Sequence, residues 1–119
     1  MNQEVKQKWL DALRSGQYLQ GNGALLCRSI DNSPKYCCLG VLCDIHSKAT
    51  GCAWDVNDHY EGCSSFVPDV VVEWAGLQDY EIDQSDEGFD IGTGEYELSS
   101  YNDNGHSFEE IAQLIENSL

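Results

Sequence analysis

YCCLGVLCDIH, residues Tyr36 to His46, holds three of the six cysteines of the chain and one of its three histidines. Val41, Leu42 and Ile45 recur at helical intervals between Leu39 and Ser47, and Gly51 stands a few residues on as a terminator. On such a helix Cys38, Leu42 and Ile45 share a face, with Val41 beside it. Free cysteine is among the most buried residue types and packs as a small hydrophobe. Gly40, lacking a Cβ, would let a second backbone approach closely. The stretch therefore reads first as core, a strand running into a helix on which the domain is assembled.

Two chemical alternatives use the same residues. Cys37 or Cys38 at a helix start could have its thiolate stabilised by the helix N-terminus. The bases available to it, His46, His59 and His106, have no catalytic motif around them, so no catalytic residue is assigned. A metal is the other alternative. Cys43 and His46 are three apart and His59 and Cys63 four apart, so two thiolates and two imidazoles could surround zinc, with Cys52 as a spare ligand. No C-x-x-C knuckle supports it, and no other cofactor is expected.

Working outward, Val5, Trp9, Ala12 and Leu13 mark an amphipathic helix over residues 3 to 15, with Trp9 toward the core and Ser15 and Gly16 as stop signals. Ala24 to Ile30 and Lys35 to Cys38 read as a hairpin around the turn residues DNSP. CAWDV is a short strand candidate and NDHYEGCSS a loop. Pro68 opens a helix carrying Val71, Val72, Trp74 and Ala75, and Gly76 ends it. Ser107 and Glu110 form a capping box ahead of the apolar stripe Phe108, Ile111, Ala112, Leu114 and Ile115. The pattern predicts one compact α+β domain spanning 1–119: about four helices with a small antiparallel sheet or hairpin. Its expected core contains Trp9, Leu13, Leu42, Ile45, Trp74, Ile111 and Leu114.

Charge divides the chain in two. All six basic residues lie in the first 48 positions with four acids, and the remaining 71 residues carry 17 acids and neither Lys nor Arg, for a formal total of −15. Neutralising phosphates needs cations, so the second half is excluded from direct binding to nucleic acid or an anionic membrane. Residues 78–105, the most acidic part, are expected to form short strands or a mobile folded loop. No membrane span and no secretory signal is visible, which points to a cytoplasmic protein with reduced thiols.

The ordered blocks WLDALRSGQYLQGNGALL, YCCLGVLCDI, VPDVVVEWAGL and NDNGHSFEEIAQLIE resemble a group of small proteins found mostly in tailed-phage and prophage genomes. The match takes in both ends and the middle and leaves out Gln78 to Ser99. The resemblance implies context, not chemistry: small accessory phage proteins commonly act on host machinery, defence systems included, here in the host cytoplasm. Three functions follow as expectations. The first is inhibition of a host factor with a basic surface through a nucleic-acid-mimicking face built from Asp79, Glu81, Asp83, Asp86, Glu87 and Asp90. The second is a sponge for a nucleotide immune signal, held by Arg14, Tyr18, Arg28 and Lys35 near the glycine-rich SGQYLQGNG. The third is a small zinc-binding or cysteine-dependent enzyme. Binding is preferred to catalysis, since no P-loop, H-E-x-x-H or G-x-S-x-G is present. Oligomeric state does not follow from the sequence.

Overall fold

The computed structural model describes residues 1–119. It is an α+β domain of five helices and two separate two-stranded antiparallel sheets. Helix α1 (Gln3–Arg14) begins where the Asn2 side chain accepts the backbone N–H groups of Glu4 and Val5. Strands β1 (Leu26–Arg28) and β2 (Pro34–Tyr36) pair with Leu26 opposite Tyr36. Pro34 opens its strand, a position where its missing N–H is tolerated. Helix α2 (Cys38–Thr50) follows at once, ended by Gly51 in the left-handed region at φ 84°. Helix α3 (Asp69–Ala75) runs from Pro68 to a left-handed Gly76, as its sequence signals predict.

Helix α2 is the organising element, and it packs on α1, on α3, on β2 and on α4 (Leu98–Asp103). A helix that is apolar all round must be covered on every side. Accordingly Cys38, Leu39, Gly40, Val41, Leu42, Cys43, Asp44 and His46 are all buried. Gly40 is where β1 begins to meet it, since an added Cβ there would lie 1.8 Å from the Leu25 carbonyl oxygen. Trp9, fully buried, reaches across from α1 and donates its indole N–H to the Cys38 carbonyl at 3.0 Å. Helix α5 (Phe108–Ser118) lies along α1, started by the Ser107–Glu110 capping box.

The acidic stretch holds the short strands that its spaced apolar residues predict. A 3₁₀ turn (Asp79–Glu81) leads into β3 (Ile82–Ser85), which pairs with β4 (Gly88–Ile91). The second edge of β4 is fastened by reciprocal backbone bonds between Val67 and Phe89, both 2.8 Å. Helix α4 was not foreseen, because LSSYND has no apolar stripe: Leu98 is its one buried apolar side chain, and its other buried residue is Asn102.

Two expectations are corrected. CAWDV forms no strand, because its Trp54 is held by a side chain of α2 and its Asp55 carboxylate accepts the N–H groups of Asn57 and His59 in a turn. The expected small antiparallel sheet is present, as two separate hairpins. Of the expected core, Trp9, Leu13, Leu42 and Ile111 are buried, but Ile45, Trp74 and Leu114 lie half-buried at its edge. Helix α2 is rotated so that Cys43 and His46 point inward where Ile45 was expected.

Candidate functional site

An isolated carboxylate on an apolar helix needs partners to be buried. Asp44 has three: its Oδ2 accepts from the Tyr18 hydroxyl at 2.6 Å and from Lys48 Nζ at 3.3 Å, and its Oδ1 accepts from the Trp54 indole at 3.1 Å. Burial, and then the bond to Asp44, push the Tyr18 phenol above its ordinary value. From this knot a ladder of rings runs inward. Tyr18 meets Tyr36 at 5.1 Å, Tyr36 meets Trp54 at 5.9 Å, and Trp54 meets Tyr60 at 4.9 Å. His46 then stands between Tyr60 and Trp74, at 5.6 and 5.1 Å. Edge-to-face pairs of this kind add to area burial. With its oxygens taken by donors, Asp44 is a fastening for the loop around Trp54 and not a free base.

His46 is buried and bonded through Nδ1 to the Tyr60 hydroxyl at 2.5 Å. Burial pulls its pKa below the ordinary imidazole value, against a smaller upward pull from Glu61. In the unfolded chain the ring takes a proton near pH ~6.5, so below that pH the unfolded state binds more protons and stability falls. The urea midpoint is expected to drop between pH 7.5 and 5, and His46→Gln to flatten that slope. Glu97, whose pKa is raised, works in the opposite direction at lower pH. An unchanged slope in the variant would assign the pH dependence elsewhere.

A second buried polar centre is Asn102 on α4, with no exposed surface. Its Oδ1 accepts the Cys38 backbone N–H at 3.2 Å and the Gln20 side chain at 2.9 Å, and its Nδ2 donates to the Gly21 carbonyl at 2.8 Å. One amide thus joins the start of α2, the glycine-rich loop and α4. Asp103 beside it accepts the Gly23 N–H at 3.0 Å. Composition carried no signal for Asn102, although it opens one of the blocks that mark the phage resemblance.

The thiols at the head of α2 are placed as the nucleophile alternative requires but are in the wrong medium. Cys37 is the N-cap, its Sγ accepting the Gly40 N–H at 3.4 Å, and burial pushes its pKa up to about 12. Cys38 and Cys43 are raised well above ordinary thiols for the same reason. Desolvation of the thiolate here outweighs the helix N-terminus. All six cysteines are free.

The zinc arrangement is corrected. Cys43, His46, His59 and Cys63 do not converge, and no cluster of three or more His, Cys, Asp or Glu side chains has metal-holding geometry. Cys43 faces the core, His46 is turned to Tyr60, and Cys63 lines a separate surface cavity. The four candidate nucleotide contacts are likewise dispersed. Arg14 ties α1 to α5 through Glu109 at 3.4 Å and Glu116 at 3.2 Å, and Arg28 is held by both oxygens of Asp58 at 3.0 and 3.1 Å. Tyr18 belongs to the Asp44 knot. Only Arg28 and Lys35 share a cavity, a shallow one of about 800 Å³ beside Leu19 and Ile30.

Of the six proposed contact acids, Asp79, Asp83, Asp86 and Glu87 are exposed. The other two are internal, which corrects the expected surface. Glu81 is 4% exposed, accepts the Gln78 N–H at 2.7 Å and lies 3.5 Å from the amino group of Met1. Asp90, also 4% exposed, accepts the N–H groups of Ile91 and Ser99 and the Ser99 hydroxyl. Both carboxylates are consumed by the fold. Beside the hairpin, Glu61, Asp69 and Asp86 line a cavity of about 410 Å³ with Cys63 and Phe89. Burial, and then Asp69, Glu87 and Glu61, push the Cys63 thiol up, a local sign of negative potential.

Fold and surface together define a small α+β protein with a satisfied interior and an acidic hairpin face. The chain matches, over residues 1–119, the family described as "Domain of unknown function (DUF8296)", and it belongs to that family. No curated protein and no solved structure matches it. No helix is long and apolar enough to cross a membrane.

Proposed function

We propose that this is a small acidic phage accessory protein that binds and inhibits a host defence factor, its exposed carboxylates occupying a basic, nucleic-acid-binding surface. One observation carries the reading: from Asp69 to Asp103, Glu81 is the only acid with a cationic partner, so the face around the β3–β4 hairpin is left uncompensated. Such a face raises the association rate of a basic partner and repels anions. The interior supports binding over catalysis, because its carboxylates and thiols are either saturated with hydrogen bonds or desolvated. The nucleotide-sponge alternative has less support, with Arg14 and Arg28 both held by carboxylates of the same chain.

The test uses the four exposed acids and leaves Glu81 and Asp90 intact. The variant Asp79→Asn, Asp83→Asn, Asp86→Asn, Glu87→Gln is expected to keep the wild-type circular dichroism and melt. In capture from host lysate, wild type should retain a protein that double-stranded DNA displaces. The variant should bind that protein more weakly by on the order of 10²-fold at low ionic strength. Equal capture by the two proteins, or a captured partner indifferent to DNA, would remove the mimicry reading.

A further inference from the structure

The hairpin face carries a feature that charge alone does not explain. Tyr80 is 85% exposed and Tyr96 46% exposed, and both line one cleft of about 230 Å³ together with Asp83, Glu95 and Glu97. Two aromatic side chains gathered in one cleft beside uncompensated carboxylates form a grouped apolar patch with a polar rim, the kind of surface that marks an interaction site. The cleft is smaller than the ~300–1,000 Å³ of small-molecule sites, which suits a single side chain of a partner.

Its walls are built, not incidental. The Tyr96 backbone is held by Thr93, which donates its N–H at 2.9 Å and its hydroxyl at 3.0 Å to the Tyr96 carbonyl. Tyr101 supports the Tyr96 ring at 4.9 Å and is itself stacked on His106 at 3.7 Å. Tyr80 lies in the 3₁₀ turn, whose Glu81 carbonyl takes the Gly92 N–H at 2.7 Å and so fixes the two sides of the cleft to one another. Asp83 and Asp90 are cross-strand partners in the hairpin, and like charges so placed repel. Asp90 is relieved by Ser99, but Asp83 is left facing Glu97 with no cation between them.

We propose that this cleft receives an arginine side chain of the partner protein, its guanidinium lying against the tyrosine rings and hydrogen-bonded to Asp83 and Glu97. The inference rests on the reading that the acidic face meets a basic protein, and it names the side chain that is read. Guanidinium is favoured over ammonium because it is planar, stacks on aromatic faces and presents a fork of donors that matches carboxylates. A divalent metal is not favoured, since these carboxylates form no metal-holding group.

The probes are a Gly-Arg-Gly-Arg-Gly peptide, its lysine counterpart and free arginine, each titrated into the ¹⁵N-labelled protein at physiological salt. The arginine peptide should shift the amides of Tyr80, Gly92, Gly94 and Tyr96, and bind roughly tenfold more tightly than the lysine peptide. Free arginine should shift the same amides more weakly. Tyr80→Phe with Tyr96→Phe should keep the affinity, and Tyr80→Ala with Tyr96→Ala should lose roughly tenfold. Shifts confined to Asp86 and Glu87, equal for both peptides and insensitive to the alanine changes, would overturn the cleft while leaving an acidic face that attracts cations. Absence of any shift also overturns it, and the acidic-face reading is then decided separately by lysate capture with the four-amide variant.

Discussion

Gly40→Ala is expected to destabilise the fold severely, a larger effect than any other single methyl in this chain would have. The new Cβ would sit 1.8 Å from the Leu25 carbonyl oxygen and 2.7 Å from its carbonyl carbon, and neither atom is the free end of a side chain. Leu25 itself is tied on both sides, with its N–H donating to Ser64 and its carbonyl accepting from Cys37. Relief therefore requires the Leu25 backbone, which leads into β1, to move away from α2, not a rotamer change. Overpacking commonly costs 1–3 kcal/mol where neighbours can adjust; here a cost above about 4 kcal/mol is expected, against a total stability of roughly 5–15 kcal/mol. Gly51→Ala is the control. It places a Cβ in open space at φ 84°, and should cost only about 1 kcal/mol. Urea unfolding of the two variants side by side makes the comparison. A Gly40→Ala midpoint close to that of Gly51→Ala would mean that the approach of β1 to α2 is not a fixed feature of the fold.

Asn102→Ala is expected to cost about 3–5 kcal/mol, because it leaves buried groups without partners instead of simply removing a contact. The Cys38 N–H is one of the unpaired donors at the start of α2, and Asn102 Oδ1 is its acceptor. Gly21, buried, would lose the donor to its carbonyl. Asn102→Asp preserves shape and keeps an acceptor for Cys38, but it places a carboxylate oxygen against the Gly21 carbonyl and beside Asp103. It should be about as destabilising at pH 7 and recover in part on acidification, when protonation restores a donor. Chemical unfolding at two pH values tests both. A loss below about 1 kcal/mol in Asn102→Ala would show that water replaces the amide, and that the junction of the glycine-rich loop, α2 and α4 is looser than the geometry indicates.

The acids of the hairpin region divide by role, and the binding test depends on that division. Glu81 and Asp90 fasten the hairpin from within, while Asp79, Asp83, Asp86 and Glu87 face solvent. Neutralising all six at once would confuse unfolding with loss of binding. Restricting the change to the exposed four keeps the two apart.

Elements whose signals are local were legible in the sequence. Ser107 with Glu110, Pro68 and Gly76 mark helix ends by bonds to residues a few positions away, and each acts as its residue type predicts. Gly40 was readable as a point of close approach, though not what would approach it. Asp44 had a signal that could have been used, a single carboxylate in an otherwise apolar helix, since such a group must find donors. Asn102 had none, because an asparagine in a polar stretch differs from its neighbours only once the chain has closed around it. The zinc arrangement failed for a related reason. Spacing along a helix brings Cys43 and His46 near each other, but which way each ring or thiol turns depends on Tyr60, Trp74 and the core.

By itself, the sequence determined the α+β class, the ends of helices α3 and α5, the apolar central helix and the segregation of positive charge into the first 48 residues. These follow from composition, periodicity and bonds between near neighbours. Tertiary structure alone decided which acids are surface and which are fastenings, that the cysteines are desolvated, and that Tyr80 and Tyr96 border one cleft with Asp83 and Glu97. Burial and long-range pairing are properties of the closed chain, and they change the chemistry of a carboxylate or a thiol more than its position in the sequence does.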